Sequence, residues 1–257
     1  MLFRICTIWG DLMGYSWNWG VFLQPSATGD NTYLGWMFYG FKMTIGLSLS
    51  AWIIALLLGS VVGVLRTVPN KMLSGFARAY VDLFRNIPLL VQLFIWYFVL
   101  PELVPANIGN AFKQSNPVFQ QFLSSMLCLG LFTSARVAEQ VRSGINSLPP
   151  GQKNASLAIG FTLPQTYRYV MLPMAFRLVV PPLTSEFLNI FKNSAVCSTI
   201  GLLELAEQGR QLVDYTAQPY ESFIAVTLSY MLINVVVMFA MRWVETHVRV
   251  PGYIGSK

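Results

Sequence analysis

An all-α membrane protein with about five spanning helices is the fold class this sequence predicts. Three observations carry that expectation. The 257 residues are 54% hydrophobic and only 11% charged, against about 25% charged for a soluble domain. Long charge-poor runs, each near the roughly 20 residues a spanning helix needs, recur along the chain. The Lys and Arg residues collect in every second connection between those runs. The mean hydropathy of +0.53 fits the same class. The net charge of +6 therefore reads as a topology signal and not as a nucleic-acid footprint.

The first run, 43–65, reads MTIGLSLSAWIIALLLGSVVGVL and holds no charge. Gly59 and Gly63 are four apart in it, a spacing that lets two helices approach closely. The second, 79–101, carries Asp82, Arg85 and Pro88 in its first half. Pro88 lacks a backbone donor and should kink or start a helix there. The third spans about 117–141. The fourth, 174–203, is expected to be interrupted by Pro181, Pro182, Glu186 and Lys192. The fifth, 222–241, is uninterrupted.

Orientation follows from the bases. Arg66, Lys71 and Arg78 follow the first run, Arg142, Lys153 and Arg168 the third, and Arg242, Arg249 and Lys257 the fifth. The alternate connections hold Glu102 and Lys113, then Arg210 against Glu204, Glu207, Asp214 and Glu221. The positive-inside rule then puts the N-terminus outside, the C-terminus in the cytoplasm, and 151–173 in the cytoplasm. The expected organisation is an outer or interfacial segment 1–35, a membrane domain 36–245 and a cytoplasmic tail 246–257. Met13 is an alternative start, which would leave residues 1–12 untranslated.

Little enzymatic chemistry is legible. Cys6, Cys128 and Cys197 lie far apart without metal-ligand spacing, and His247 stands alone near the C-terminus. No GxxxxGK[ST] loop is present to cradle a nucleotide. A membrane-embedded enzyme would need a nucleophile–base or metal constellation, which these residues do not supply. A secondary transporter would show inverted repeats and a midplane ion site.

The polar segment GQKNASLAIGFTLPQTYRYVMLP, 151–173, is too long for a structureless connection. Residues 152–159 suit a short helix with Ala155, Ala158 and Ile159 on one face. Gly160 should end it in a left-handed cap, and Pro164 should open a second helix, with Tyr167, Arg168 and Tyr169 near the headgroups. The residue order resembles the cytoplasmic loop of ABC-importer permeases: Glu-Ala-Ala, three residues, Gly, nine residues, Ile, one residue, Leu-Pro. Here it reads Asn154-Ala155-Ser156, Gly160, Val170 and Leu172-Pro173. The acid that opens the motif is replaced by Asn154. DLFRNIPLLVQLFIWY, ARVAEQVRSGINSLPPGQ and SEFLNIFKNSAVCSTIGL are similar to helix signatures of the polar amino-acid branch, and within it to the subunits for glutamate and aspartate.

That resemblance implies a type I ABC-importer transmembrane domain with a cytoplasmic coupling helix. It implies a sister permease in a heterodimer, two cytoplasmic ATPases and a periplasmic binding protein as partners. It implies import of acidic amino acids by alternating access, with another polar amino acid such as glutamine or asparagine as the alternative. No cofactor is implied for this chain, since ATP and Mg would be used by the ATPase. Its coupling residues would be Asn154, Ala155, Ser156, Ala158, Ile159, Gly160, Leu172 and Pro173.

Charges inside spanning helices cost about 2.5–3.5 kcal/mol each on insertion scales and mark a pathway or a structural pair. Arg85, Arg136, Glu139, Glu186 and Lys192 are such charges. Substrate-path candidates are Arg136, Glu139, Glu186, Asn189 and Lys192. Glu139 has Arg136 and Arg142 three residues to either side, so pairing along one helix face competes with a transport role. Members of this branch often carry an aromatic residue where Arg136 stands, and a guanidinium can hold a side-chain carboxylate by two parallel hydrogen bonds.

Overall fold

The computed structural model describes residues 15–29 and 31–248. The alternative start at Met13 and most of the expected tail lie outside the described residues. Among the described residues the regular structure is helical, with one isolated bridge between Pro25 and Thr32.

Among the described residues three helices are long and apolar enough to cross a membrane: α1 (Tyr33–Leu65), α5 (Pro117–Asn146) and α10 (Pro219–Val248). Side chains set two of their starts. Thr32 accepts from the Gly35 amide at the head of α1. Asn116 accepts from the Val118 amide at the head of α5, where Pro117 occupies the first turn.

The expected second span is broken into α2 (Lys71–Asn86) and α3 (Leu89–Leu103), bent by 102°. The cause is local. The ring of Pro88 pushes Ile87 into an extended conformation, with ψ at 130°, and a new helix starts beyond it. The amide of Gln92 closes the corner from inside. Its nitrogen donates to the carbonyls of Phe84 and Ile87, both at 2.8 Å. A π-turn at Ile95–Val99 interrupts α3, and the short α4 (Ala106–Lys113) follows.

After α5 come α6 (Pro150–Ala158) and α7 (Leu163–Thr166), then a π-turn at Tyr167–Met171 and α8 (Leu172–Asn193). The expected interruption at Pro181 and Pro182 does not occur: α8 runs through both prolines. Each proline removes one donor, and packing of α8 against α5 and α10 holds the helix across the gap. The break comes later, in a 3-10 turn at Ser194–Ile200 that ends on Gly201 with φ of 82°. At 22 residues, α8 is about 33 Å long, enough for the remaining crossing, although it carries Arg177, Glu186 and Lys192. α9 (Leu205–Thr216) leads back to α10.

α1 packs most extensively on α5. Gly59 and Gly63 make that approach. A Cβ on Gly59 would sit 2.6 Å from the Ser134 carbonyl, and one on Gly63 would sit 2.7 Å from that of Ala138. Gly59→Ala should therefore push the helices apart and cost about 1–3 kcal/mol. Thermal unfolding of the purified protein checks this, with Gly46→Ala as a silent control, since nothing lies within 4 Å of a Cβ there.

The connections poor in Lys and Arg bury acids that look solvated in the sequence. Glu204 caps α9 by accepting from the Glu207 amide at 2.9 Å, and the Tyr230 hydroxyl donates to it at 2.5 Å. Glu221 is fully buried and accepts from the Tyr15 hydroxyl and the Asn18 amide. These bonds fasten the N-terminal segment and α9 to the head of α10.

Candidate functional site

Two constellations carry the functional reading: the segment between α5 and α8, and the charged groups where α1, α2, α5 and α8 meet.

The segment is rigid by construction. Pro149 and Pro150 start α6, and their fixed φ is preset for a first turn. Its C-terminus is a Schellman motif: the Phe161 amide donates to the Ser156 carbonyl and the Gly160 amide to that of Leu157, both at 3.1 Å. Gly160 has φ of 96°, with open space around a hypothetical Cβ. Backbone conformation, not crowding within this chain, is what requires glycine there. Gln165 accepts from the Thr162 amide at 2.8 Å and so caps α7. One bond then braces the segment internally and another fixes it to the body. The Ser156 hydroxyl donates to that of Thr166 at 3.0 Å, buried between α6 and α7. The Tyr167 hydroxyl donates to the Thr67 carbonyl at 2.8 Å, at the end of α1.

Asn154, Ala155, Ala158, Ile159 and Gly160 all face outward, with Ile159 74% exposed. Pro173 is exposed and Leu172 partly buried. Ser156 departs from the expected set: its buried hydroxyl makes the tie to Thr166, so it braces the loop from inside. Tyr167 also departs from its expected place near the headgroups. It is buried because the π-turn swings its ring toward α1, while Arg168 and Tyr169 remain exposed. Leu157 and Phe161 were missed as surface residues. Both are exposed beside Ile159 and enlarge the apolar tip of the loop.

The charged constellation centres on Glu139. Arg66 and Arg142 bind its two carboxylate oxygens, and Arg85 lies 3.7 Å away. The helix-face pairing with Arg142 is present. Arg136 instead points away from Glu139, is exposed, and lies over the Phe132 ring at 5.0 Å. Three other arginines already surround the carboxylate. The positive charges acting on Glu186 come from Arg136 and Arg85, on α5 and α2. Glu186 is buried, and one of its carboxylate oxygens has no hydrogen-bond partner among the described residues. Asn189 is partly buried and Lys192 exposed on the same helix. Arg136 and Arg85 thus lie within electrostatic reach of Glu186 from different helices, without an ion pair to it among the described residues, and Lys192 stands apart. Gln92, a buried polar side chain not singled out from the sequence, sits at the α2–α3 corner with its amide oxygen unpaired among the described residues.

The arrangement is a helical membrane domain with a rigid apolar loop at one end and a partly unpaired polar wall inside. Residues 29–250 match the family described as "Binding-protein-dependent transport system inner membrane component".

The chain belongs to this family.

Members of this inner-membrane transport family supply the membrane part of systems that work with a binding protein, so the chain is a multi-pass inner-membrane component and not itself the ATPase. It is 60% identical over 246 residues to the glutamate/aspartate import permease protein GltJ of Escherichia coli K12, covering 95% of this chain and all of that one. It is 33% identical over 206 residues to the probable glutamine ABC transporter permease protein GlnM of Bacillus subtilis 168, covering 80% of this chain and 90% of that one. Among solved structures, an amino acid ABC transporter crystallised with histidines matches with a TM-score of 0.71 and 28% identity, over 84% of this chain and 95% of that one. An inward-facing MetNI methionine ABC transporter matches in fold, with a TM-score of 0.70 at 21% identity, over 84% and 98% of the two chains. The fold is the transmembrane domain of a type I ABC importer.

Proposed function

We propose that this chain is the permease subunit that passes glutamate and aspartate across the inner membrane in an ATP-driven importer. The observation that carries the reading is the 60% identity over the full length of GltJ. The wall residues support it: Arg136 stands exposed near Glu186 on the candidate path, with a guanidinium suited to a side-chain carboxylate. Glutamine is the alternative substrate and rests on the more distant GlnM.

In this reading a sister permease completes the membrane pair and two cytoplasmic ATPases bind the loops. A periplasmic binding protein delivers the amino acid. ATP and Mg are bound by the ATPases. The N-terminus lies outside and the C-terminus inside. The exposed tip formed by Asn154, Ala155, Ala158, Ile159 and Gly160 seats in the ATPase surface, with Leu172 and Pro173 at the return to the membrane. Ser156 and Tyr167 transmit the load, because they bond the tip to α7 and to the end of α1. With Asn154 in place of an acid, docking is driven by apolar contact. Glu139 holds the inner ends of the helices together, and Asn189 and Lys192 continue the polar strip of α8 beyond Glu186.

Uptake of labelled glutamate, aspartate and glutamine into proteoliposomes holding the purified complex and its binding protein tests the assignment. Arg136→Ala should cut acidic amino-acid uptake about tenfold or more, the scale of a lost charged hydrogen bond. Unchanged uptake by that variant would remove Arg136 from the path, and a wild-type preference for glutamine would replace the substrate.

A further inference from the structure

We propose that α2 lies in the plane of the cytoplasmic leaflet and binds the phosphate of an anionic phospholipid through Lys71 and Arg78. The 102° corner turns α2 to run along the membrane if α3 crosses it. It begins at Lys71, a short turn beyond Arg66, which caps the end of α1. At 100° per residue the sequence of α2 makes three strips: Met72, Phe76 and Leu83 on one, Ala77 and Val81 on a second, and Lys71, Arg78, Asp82 and Arg85 on the third.

Only part of the apolar surface is packed. Ala77 and Val81 are buried with Val62, Ala135 and Ala138. Phe76 is 80% exposed, Met72 78% and Leu83 57%. An apolar strip beside a helix buried on one flank and basic on the other is the pattern of a helix seated at the headgroup boundary. Arg85 is committed to Glu139 at 3.7 Å. Lys71, Arg78 and Asp82 make no ion pair among the described residues. Two positive charges against one negative then face the headgroup layer. That balance favours an anionic lipid over a second protein surface, which would need no basic border beside its apolar strip. Because Arg85 sits in the last turn of α2, a headgroup held near the start of the helix also fixes how Arg85 meets Glu139, and lipid composition thereby acts on the transport wall.

The inference rests on the cytoplasmic placement proposed above, and the experiment keeps the two apart. The purified complex is reconstituted in phosphatidylcholine vesicles with and without phosphatidylglycerol, and retained lipid is counted by native mass spectrometry. Each basic residue near an anionic surface contributes about a fivefold preference. Lys71→Gln should reduce phosphatidylglycerol retention about fivefold, and Lys71→Gln with Arg78→Gln about 30-fold. Uptake by the double variant should cease to respond to phosphatidylglycerol while its rate in phosphatidylcholine alone is kept. Equal retention and equal response in wild type and variant overturn the inference. A spin label at Phe76→Cys, in a Cys6→Ser background, should be relaxed by lipid-soluble oxygen. Protection of that label shows a protein surface there and overturns it too. Labelling of Lys71→Cys from one side of sealed vesicles reports the orientation independently.

Discussion

Gly160→Asp is expected to abolish coupled import while leaving the membrane domain folded. The glycine holds φ of 96° at the end of α6, and no atom lies within 4 Å of a Cβ placed there. Asp tolerates left-handed backbone better than most residues, so the fold should lose only about 1–2 kcal/mol. The damage falls on the outer surface. A carboxylate appears between Ile159 and Phe161, in the apolar tip, and docking must desolvate it without a partner. The complex should lose its ATPase subunits on purification, or hydrolyse ATP without uptake. Co-purification, ATPase rate and uptake are the three readouts. Wild-type values in all three would show that this tip does not contact the ATPase. Gly160→Asn, uncharged and equally able to adopt the backbone, should keep most of the transport.

Glu139→Gln is expected to destabilise the junction of α1, α2 and α5. The carboxylate gathers Arg66 from the end of α1, Arg85 from α2 and Arg142 from its own helix. Its side chain is 25% exposed and that of Arg66 12%. Without it, three guanidinium groups face one another at the junction of three helices. Breaking a buried pair costs about 3–5 kcal/mol and an exposed pair about 0–1 kcal/mol. A half-buried centre with three partners should fall between, at about 2 kcal/mol. Thermal unfolding of the purified complex measures the loss. A double-mutant cycle with Arg66→Ala should return a coupling energy near the upper end of the usual range. A Glu139→Gln protein that melts with wild type would show that the arginines are held by other groups.

Local chemistry made much of the loop legible in the sequence. Proline before a helix and glycine after it have few alternative readings, and the end at Gly160 and the restart at Pro164 followed from them, whereas α6 begins at Pro150, ahead of the expected 152. That some helix could approach α1 closely was visible in the Gly59–Gly63 spacing, and the structure shows that helix to be α5. What stayed hidden depends on contacts between distant residues. Nothing near Glu139 in the chain points to Arg66, 73 residues away. Tyr167 looked like a headgroup aromatic because its orientation depends on a π-turn that no residue type announces. Glu204 and Glu221 looked solvated because their partners, Tyr230, Tyr15 and the amides that bond them, come together only in the fold. Pro181 and Pro182 suggested a break that helix packing suppresses. The approach of Arg136 and Arg85 toward the buried Glu186 from other helices belongs to the same class.

The corner at Pro88 has a consequence for how this membrane domain can move. Both carbonyls freed by the bend are taken by the Gln92 side chain. Straightening α2 and α3 would strip those bonds and leave polar backbone facing hydrocarbon, at several kcal/mol per group. The bend is therefore a welded joint and not a pivot. Work delivered through the loop and the end of α1 must turn α2 and α3 as one angled body, and the angle itself should be the same in inward-open and outward-open states.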